Sequence, residues 1–253
     1  MEKELKIGVI PAAGSAKRLG YLSNLLPKTL FPIYDRPIFH HLIDQMESLG
    51  IEDIYVIINV HREKIREYHK HVRHRLKARI HFIEQKNLDG LANAILLTEK
   101  YIRNRPFLTI LGDECSIIDP LSPMVDLFFD SGSIVTEMVI KETDKEILRQ
   151  TCSAKIEKDG RIVEILEKPQ DPPYMVRGCG VYIFSHEIYD FIRKTPPHPV
   201  RNEKEITAAI NNVARTGKAY GYFTRGRNIN INDPDELLKA GIQFRDFIAG
   251  EKT

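Results

Sequence analysis

Residues Ile7 to Ile33, IGVIPAAGSAKRLGYLSNLLPKTLFPI, decide how the rest of the chain is read. They begin as a short apolar run, which predicts a buried strand, and then break into a loop of small residues carrying Arg18, with Lys28 ten positions further on. Such a loop suits an anion. Backbone N–H groups approach a phosphate closely only where side chains are small, and fixed cations neutralise what the amides cannot. Taken alone, Ala12, Ala13 and Gly14 fit a tight strand-to-loop turn equally well.

Outward from this stretch, Arg36 to Gly50 has helical apolar spacing, with Pro37 at its start and Gly50 at its stop. Asp53 to Val60 (DIYVIINV) is rich in Ile and Val and predicts a buried strand. Strand, helix, strand in that order argues for βαβ units and a parallel sheet. Arg79 to Glu84 predicts a further strand, followed by QKNLDGLANA (Gln85 to Ala94), a helix over Leu91 to Arg103 and a strand over Phe107 to Leu111. That strand ends in Gly112, Asp113 and Glu114. An acidic residue just past the carboxyl end of a parallel strand sits where open α/β sheets collect ligands; there Asp113 either holds a divalent cation or caps a turn.

From Pro120 the pattern changes. Residues 120–131 predict a helix, and Ser133 to Ile140, Ser153 to Ile156, Arg161 to Leu166 and Val176 to Phe184 predict strands, with EKDGR (Glu157 to Arg161) as a hairpin turn. The tail predicts helices over Glu203 to Thr216 and Pro234 to Ile248, and a strand over Ala219 to Thr224. The expected architecture is α/β: a Rossmann-like, mixed but mostly parallel sheet flanked by helices, with a smaller antiparallel part. One domain over 1–253 is expected, with a nucleotide-binding front (1–114) and a substrate-gripping back (115–253).

The totals bound the function. With 253 residues, 42% apolar and 28% charged, the chain has the balance of an ordinary globular protein with a sizeable core. A net charge of +2 excludes a general polyanion binder, so any basic site is local. His69, His71 and His74 do not share one helix face, so they read as a solvated basic surface rather than a metal site, and the same run has too little aromatic interleaving for nucleic acid. Cys115, Cys152 and Cys179 have no metal-like spacing, and an odd number suits a reducing compartment. The start, MEKELK, is acidic where a secretory leader is basic, and no run approaches the roughly 20 apolar residues of a membrane span. A cytoplasmic protein with no membrane partner is expected.

Several stretches together resemble the sugar-phosphate nucleotidylyltransferases, the nucleotide-sugar pyrophosphorylases. AAGSAKRLGYLSNLLPKTLFPI is similar to that family's AGGxGTRLxPxTxxxPKxLxPI, and QKNLDGLANA to the QPSPDGLAQA base-binding segment of its thymidylyl and uridylyl members. LGDE resembles its LGDN metal segment, VEILEKP its sugar-site segment and RNEKEIT its RGELEIT segment. Five matches in one order cover nearly the whole chain. The departures are specific. Family glycines are Ala13 and Ala16 here, a Thr is Lys17, a sugar-contacting Gly is Cys152, and the second metal-binding Asp is Asn230, which still offers a carbonyl oxygen.

The resemblance implies an Mg²⁺-dependent enzyme that transfers a nucleotidyl group from an NTP, with dTTP or UTP favoured, to a sugar 1-phosphate and releases pyrophosphate. Both substrates are anions, so positioning and cations supply most of the catalysis. Arg18, Lys28 and Lys168 are the expected catalytic cations, with Lys168 and Arg201 on the acceptor phosphate. Ala12, Ala13, Gly14, Gln85 and Gly90 are expected at the nucleotide. Cys152, Glu167, Gly180 and Thr207 are expected at the sugar, and Asp113 and Asn230 at Mg²⁺. Relatives commonly form dimers or tetramers, so a homo-oligomer is among the implied partners. Two alternatives stand beside this reading: a cytidylyltransferase acting on a non-sugar phosphate or phosphonate, and a non-catalytic relative that binds nucleotide or sugar phosphate as a regulator.

Overall fold

The computed structural model describes residues 4–14, 19–59, 62–117 and 120–251, so Arg18, Ala16 and Lys17 lie outside the described residues. In the first part, β1 (Ile7–Pro11) leads through α1 (Leu22–Leu25), a 3₁₀ turn at Lys28–Leu30 and the short β2 (Pro32–Ile33) and β3 (Arg36–Pro37) into α2 (Ile38–Ser48). Then come β4 (Asp53–Ile58), α3 (Arg62–Val72), β5 (Arg79–Glu84), α4 (Leu91–Leu96), α5 (Glu99–Ile102) and β6 (Phe107–Ile110). The second part holds β7 (Glu114–Ile117), α6 (Ser122–Ser131), β8 (Val135–Lys141), α7 (Lys145–Gln150), β9 (Cys152–Ile156), β10 (Ile162–Glu167) and β11 (Val176–Phe184). It closes with α8 (Ile188–Lys194), α9 (Ile206–Ala214), β12 (Ala219–Phe223), β13 (Arg227–Asn230) and α10 (Pro234–Glu251).

Seven strands form one sheet in the order β12-β8-β11-β6-β1-β4-β5. Its neighbours pair in parallel except where β11 runs against both β6 and β8. The sheet is therefore mixed and mostly parallel, as the order of predicted elements required. Both faces are covered, which is why its strands are nearly continuous apolar runs. On one face Ile10, Val56, Ile110 and Val181 pack under α2, α6 and α10; on the other Val9, Ile57, Phe107 and Phe184 pack under α4, α8 and α9.

The order matters for the site. From β1 the chain proceeds outward to β4 and β5, then returns to place β6 on the other side of β1. The carboxyl ends of β1 and β6 thus diverge at the reversal point, where open α/β sheets form their ligand crevice. Two smaller ribbons complete that region. β9 and β10 form the expected hairpin, closed at Gly160 (φ +87°), with Cys152 opposite Glu167. β7 and β13 pair antiparallel, with Glu114 opposite Asn230.

Three predicted helices differ from the structure, and the one expected from Arg36 starts at Ile38 because Arg36 and Pro37 pair with Ile33 and Pro32 as β3. The helix expected over Leu91 to Arg103 divides, because buried Thr98 turns its hydroxyl back to the Ile95 carbonyl at 2.6 Å and meets the Tyr189 hydroxyl at 2.8 Å. The helix expected from Glu203 starts only at Ile206. Lys204 is instead held extended by its N–H to the Asp89 carbonyl (2.8 Å) and by the Ala92 N–H to its own carbonyl (3.1 Å).

Candidate active site

The crevice holds two adjoining cavities of about 350 and 300 Å³. The first is built from loops at the carboxyl edge of the sheet, and the second also from β8, β11 and the β9–β10 hairpin. The first is lined by Ala12, Ala13 and Gly14 after β1, Gln85 after β5, Gly90 at the start of α4, and Asp113 after β6. Lys28 projects into it from the 3₁₀ turn. The loop after β1 is pinned by the Ala12 N–H to the Ile57 carbonyl (2.7 Å) and by the Gly112 N–H to the Pro11 carbonyl (3.0 Å). A side chain at Gly112 would meet that same Pro11 carbonyl at 2.7 Å, so only glycine lets β1 and the loop after β6 approach.

Gln85 is buried, and its amide nitrogen donates to the Asp89 carboxylate (3.1 Å) and the Gly90 carbonyl (3.4 Å). One end of this side chain therefore shapes the loop. Gly90 has a positive φ of 108° and lies against the Lys204 backbone, which ties this loop to the segment carrying Arg201 and Thr207.

The second cavity is lined by Cys152, Glu167, Lys168, Gly180, Arg201, Thr207 and Asn230, and it shares Gly90 and Asp113 with the first. Lys168 holds a left-handed backbone (φ +47°) just before Pro169, a strained conformation of the kind found at functional sites. Its Nζ lies 3.6 Å from Glu167. Burial raises the Glu167 carboxyl above its ordinary range, against the opposing pull of Lys168. Arg201 pairs with Glu205, the residue just before α9. Cys152 is buried, its Sγ accepts the Gly178 N–H at 3.2 Å, and burial holds its thiol far above its usual range. It acts as a small wall rather than a nucleophile.

Where the cavities meet, Lys28 Nζ donates to Asp113 Oδ2 at 2.8 Å and to Asn232 Oδ1 at 3.2 Å. The Asp113 carbonyl accepts the Ile231 N–H, which brings Asn230 alongside. Asn230 Nδ2 donates to Glu114 at 2.7 Å, and its buried Oδ1 has no partner. Glu114 is buried too. Burial first, then the Asp113 charge, pushes it up to about 7, while donors from Asn228 and Asn230 favour its charged form. Gly180 (φ +65°) is glycine because a Cβ there would lie 2.6 Å from Glu114 Cγ.

The structure thus brings every predicted site residue among the described ones to one of two touching cavities. It adds residues that sequence reasoning missed: Glu114, Glu137 and Asn232 on the second cavity, and Glu203 on both. A signal existed for Glu137, a lone acid inside the otherwise apolar run Ser133 to Ile140. The pairing of Glu114 with Asn230 had none, since 116 positions separate them.

A model of the nucleotidyl transferase family matches residues 7–240. The chain is 30% identical over 240 residues to the bifunctional protein GlmU of Methanocaldococcus jannaschii, covering 95% of this chain and 54% of that protein, so it spans about half of that relative's length. It is 25% identical over 270 residues to a UTP–glucose-1-phosphate uridylyltransferase of Staphylococcus epidermidis, covering 96% of this chain and 93% of that one. A crystal structure of a UDP-glucose pyrophosphorylase complexed with UDP-glucose superposes with a TM-score of 0.86 at 24% identity, over 96% of this chain and 99% of the other, which is a likeness of fold.

Proposed function

Since the chain belongs to the nucleotidyl transferase family, we propose that it transfers a nucleotidyl group from an NTP, with dTTP or UTP favoured, to a sugar 1-phosphate, giving a nucleotide sugar and pyrophosphate. The observation that carries this reading is the junction at Asp113: one cavity lined by Gln85, Gly90 and Lys28, and a second lined by Glu167, Lys168 and Arg201, share that carboxylate. Residues of 1–114 would hold the nucleotide, and those of 115–253 the acceptor.

The parts follow from the charges. Lys28 would hold the polyphosphate as a point charge, and Lys168 and Arg201 the acceptor phosphate, the guanidinium with several donors. Arg18 has the same expected task as Lys28. Lys28 pairs with Asp113, so a polyphosphate would compete with Asp113 for the lysine and free the carboxylate for a cation. Glu167 and Thr207 would take sugar hydroxyls. Gln85 and the Gly90 backbone would read a pyrimidine edge.

The donor set fits Mg²⁺. Asp113 contributes a carboxylate, and the unpartnered buried Oδ1 of Asn230 is an oxygen without a role in the protein alone. Both are hard oxygen ligands, and Mg²⁺ typically takes one or two such groups with the rest from phosphate and water. Bound there, the ion would act as a Lewis acid and template on the transferred phosphate.

Among the described residues no helix is long and apolar enough to cross a membrane. The test is pyrophosphate release, with Mg²⁺, from five nucleotides against a panel of sugar, cyclitol and alkyl phosphates. The proposal requires release that depends on both substrates; silence from every pair refutes it.

A further inference from the structure

The floor of the second cavity carries a group that none of these roles uses. Glu137 stands in β8, opposite Tyr182 of β11 and Gly221 of β12, and is 1% exposed. It nevertheless lines the cavity, and its Oε2 has no hydrogen-bond partner. Buried polar atoms are almost always bonded, so a carboxyl oxygen left open towards a cavity is free to take a donor from that cavity, while the Tyr182 phenol serves the same carboxyl from β11. The fold makes room for it. A Cβ on Gly178 would lie 1.9 Å from Glu137 Oε1, so the facing strand position is glycine.

Among the described residues, the groups acting on Glu137 are Glu167 from β10, Tyr182 from β11 and Cys152 from β9, none of them a cation, and Arg177 of β11 acts on Cys152 beside it. Burial, with the Glu167 charge adding to it, pushes the carboxyl up to about 8, although the Tyr182 phenol favours the charged form. The cations of this cavity lie elsewhere: Lys168 beside Glu167, Arg201 paired with Glu205, and Lys204 donating to the Ile192 carbonyl. Acidic side chains outnumber basic ones in the cavity wall by six to three. Of these acids Asp113 is assigned to Mg²⁺, Glu205 pairs with Arg201 and Glu167 lies beside Lys168, whereas Glu137 has no such partner. A hydroxyl would be served by a neutral amide or hydroxyl at smaller desolvation cost, whereas a buried carboxyl recovers its charge when a cation enters beside it.

We propose that the acceptor carries a primary ammonium group remote from its phosphate, and that Glu137 binds that ammonium. The inference rests on the transferase reading for the placement of the phosphate at Lys168 and Arg201. An amino sugar 1-phosphate and an aminoalkyl phosphate share this chemistry. On binding, the Glu137 carboxyl loses its proton to solvent and the carboxylate pairs with the ammonium.

Calorimetric titration of matched acceptors tests this at neutral pH in buffers of different ionisation enthalpy: glucosamine 1-phosphate against glucose 1-phosphate, and 2-aminoethyl phosphate against 2-hydroxyethyl phosphate. In at least one pair the amine binds about tenfold tighter or more, and it releases close to one proton more than its hydroxyl counterpart. The pair that responds tells a sugar from an alkyl acceptor. In Glu137→Gln both the preference and the extra proton vanish. No preference in either pair, or a preference that survives in Glu137→Gln, overturns the proposal. Should that variant not fold, the wild-type affinities decide, and amines that bind no tighter than their hydroxyl counterparts overturn the proposal. Pyrophosphate release is recorded with the same acceptors. An amine preference without pyrophosphate from any nucleotide refutes the transferase reading alone, and turnover that favours the hydroxyl acceptors refutes this inference alone.

Discussion

Gly90→Ala should damage both cavities at once. Gly90 sits at φ 108° and ψ 162°, a region essentially confined to glycine. An added Cβ would lie 2.3 Å from the Lys204 carbonyl oxygen, 2.5 Å from its nitrogen and 2.9 Å from its carbonyl carbon. All three are backbone atoms, so no side chain can swing away; the 204 segment must retreat by about 1 Å to reach ordinary contact. That retreat breaks the Lys204 N–H bond to Asp89 and the Ala92 N–H bond to Lys204. Two hydrogen bonds at about 1 kcal/mol each, plus about 1–3 kcal/mol of backbone strain, give a loss of roughly 3–5 kcal/mol. The control is Gly132→Ala, where φ is 58° and ψ is 34° with nothing within 4 Å of the new Cβ. There only the left-handed backbone is penalised, by about 1–2 kcal/mol. Urea unfolding of both variants measures the difference, and KM for nucleotide and for acceptor should both rise in Gly90→Ala because the shared wall moves. If the two variants unfold within about 0.5 kcal/mol of each other, contact with Lys204 is not what requires glycine.

Asp113→Asn should keep the fold yet lower kcat by about 10²–10³, and a titration of activity against Mg²⁺ should show weakened metal dependence; unchanged turnover would remove Asp113 from the metal site. Lys168→Ala should cost less than about 1 kcal/mol of stability, because its side chain is 43% exposed and its ion pair with Glu167 is long. It should instead raise KM for the acceptor by about tenfold or more, read from initial rates at saturating nucleotide. Glu137 predicts a pH effect with a definite sign. Its folded pKa of about 8 stands above the ordinary 4.5, so the stability it contributes is full below about 4.5 and is lost as pH rises through about 8. The urea midpoint of the unliganded protein should therefore fall between about pH 5 and pH 9, and Glu137→Gln should flatten the fall. Part of the slope should remain in that variant from Glu114, which is raised to about 7.

The legible parts of this chain are those where burial is decided locally. β5 and β11 match their predicted bounds to the residue and β4 shares its predicted start; in β4 and β11 the runs DIYVII and VRGCGVYIF are buried on both faces, while edge strand β5 (RIHFIE) is only partly buried. The loops at the carboxyl ends of β1, β5 and β6 follow from those strands, so Ala12, Gln85 and Asp113 could be placed at one edge before any coordinates. The 203–205 segment could not. Its residues have helical composition, and the backbone of the loop at Asp89 to Ala92, more than a hundred positions away, holds Lys204 extended, while the His198 N–H holds the Glu203 carbonyl. β13 has the same origin: RNIN alternates poorly on its own and becomes a strand by pairing with β7.

The floor of the acceptor cavity was the least legible part, and the reversed strand explains why. Glu137 on β8 faces Tyr182 and Gly178 on β11, and Cys152 and Glu167 on the β9–β10 hairpin close over them. In the sequence Glu137 is one charge in an apolar run, which fits an edge strand with a solvated face equally well. Only the insertion of β11 between β6 and β8 turns that position inward. A charged residue at a buried strand position was therefore visible as an inconsistency with the run around it, and such inconsistencies gather where function overrides packing. What the sequence lacked was the neighbour that makes the inconsistency a site: Gly178, without a side chain, leaves the volume that the Glu137 carboxyl occupies.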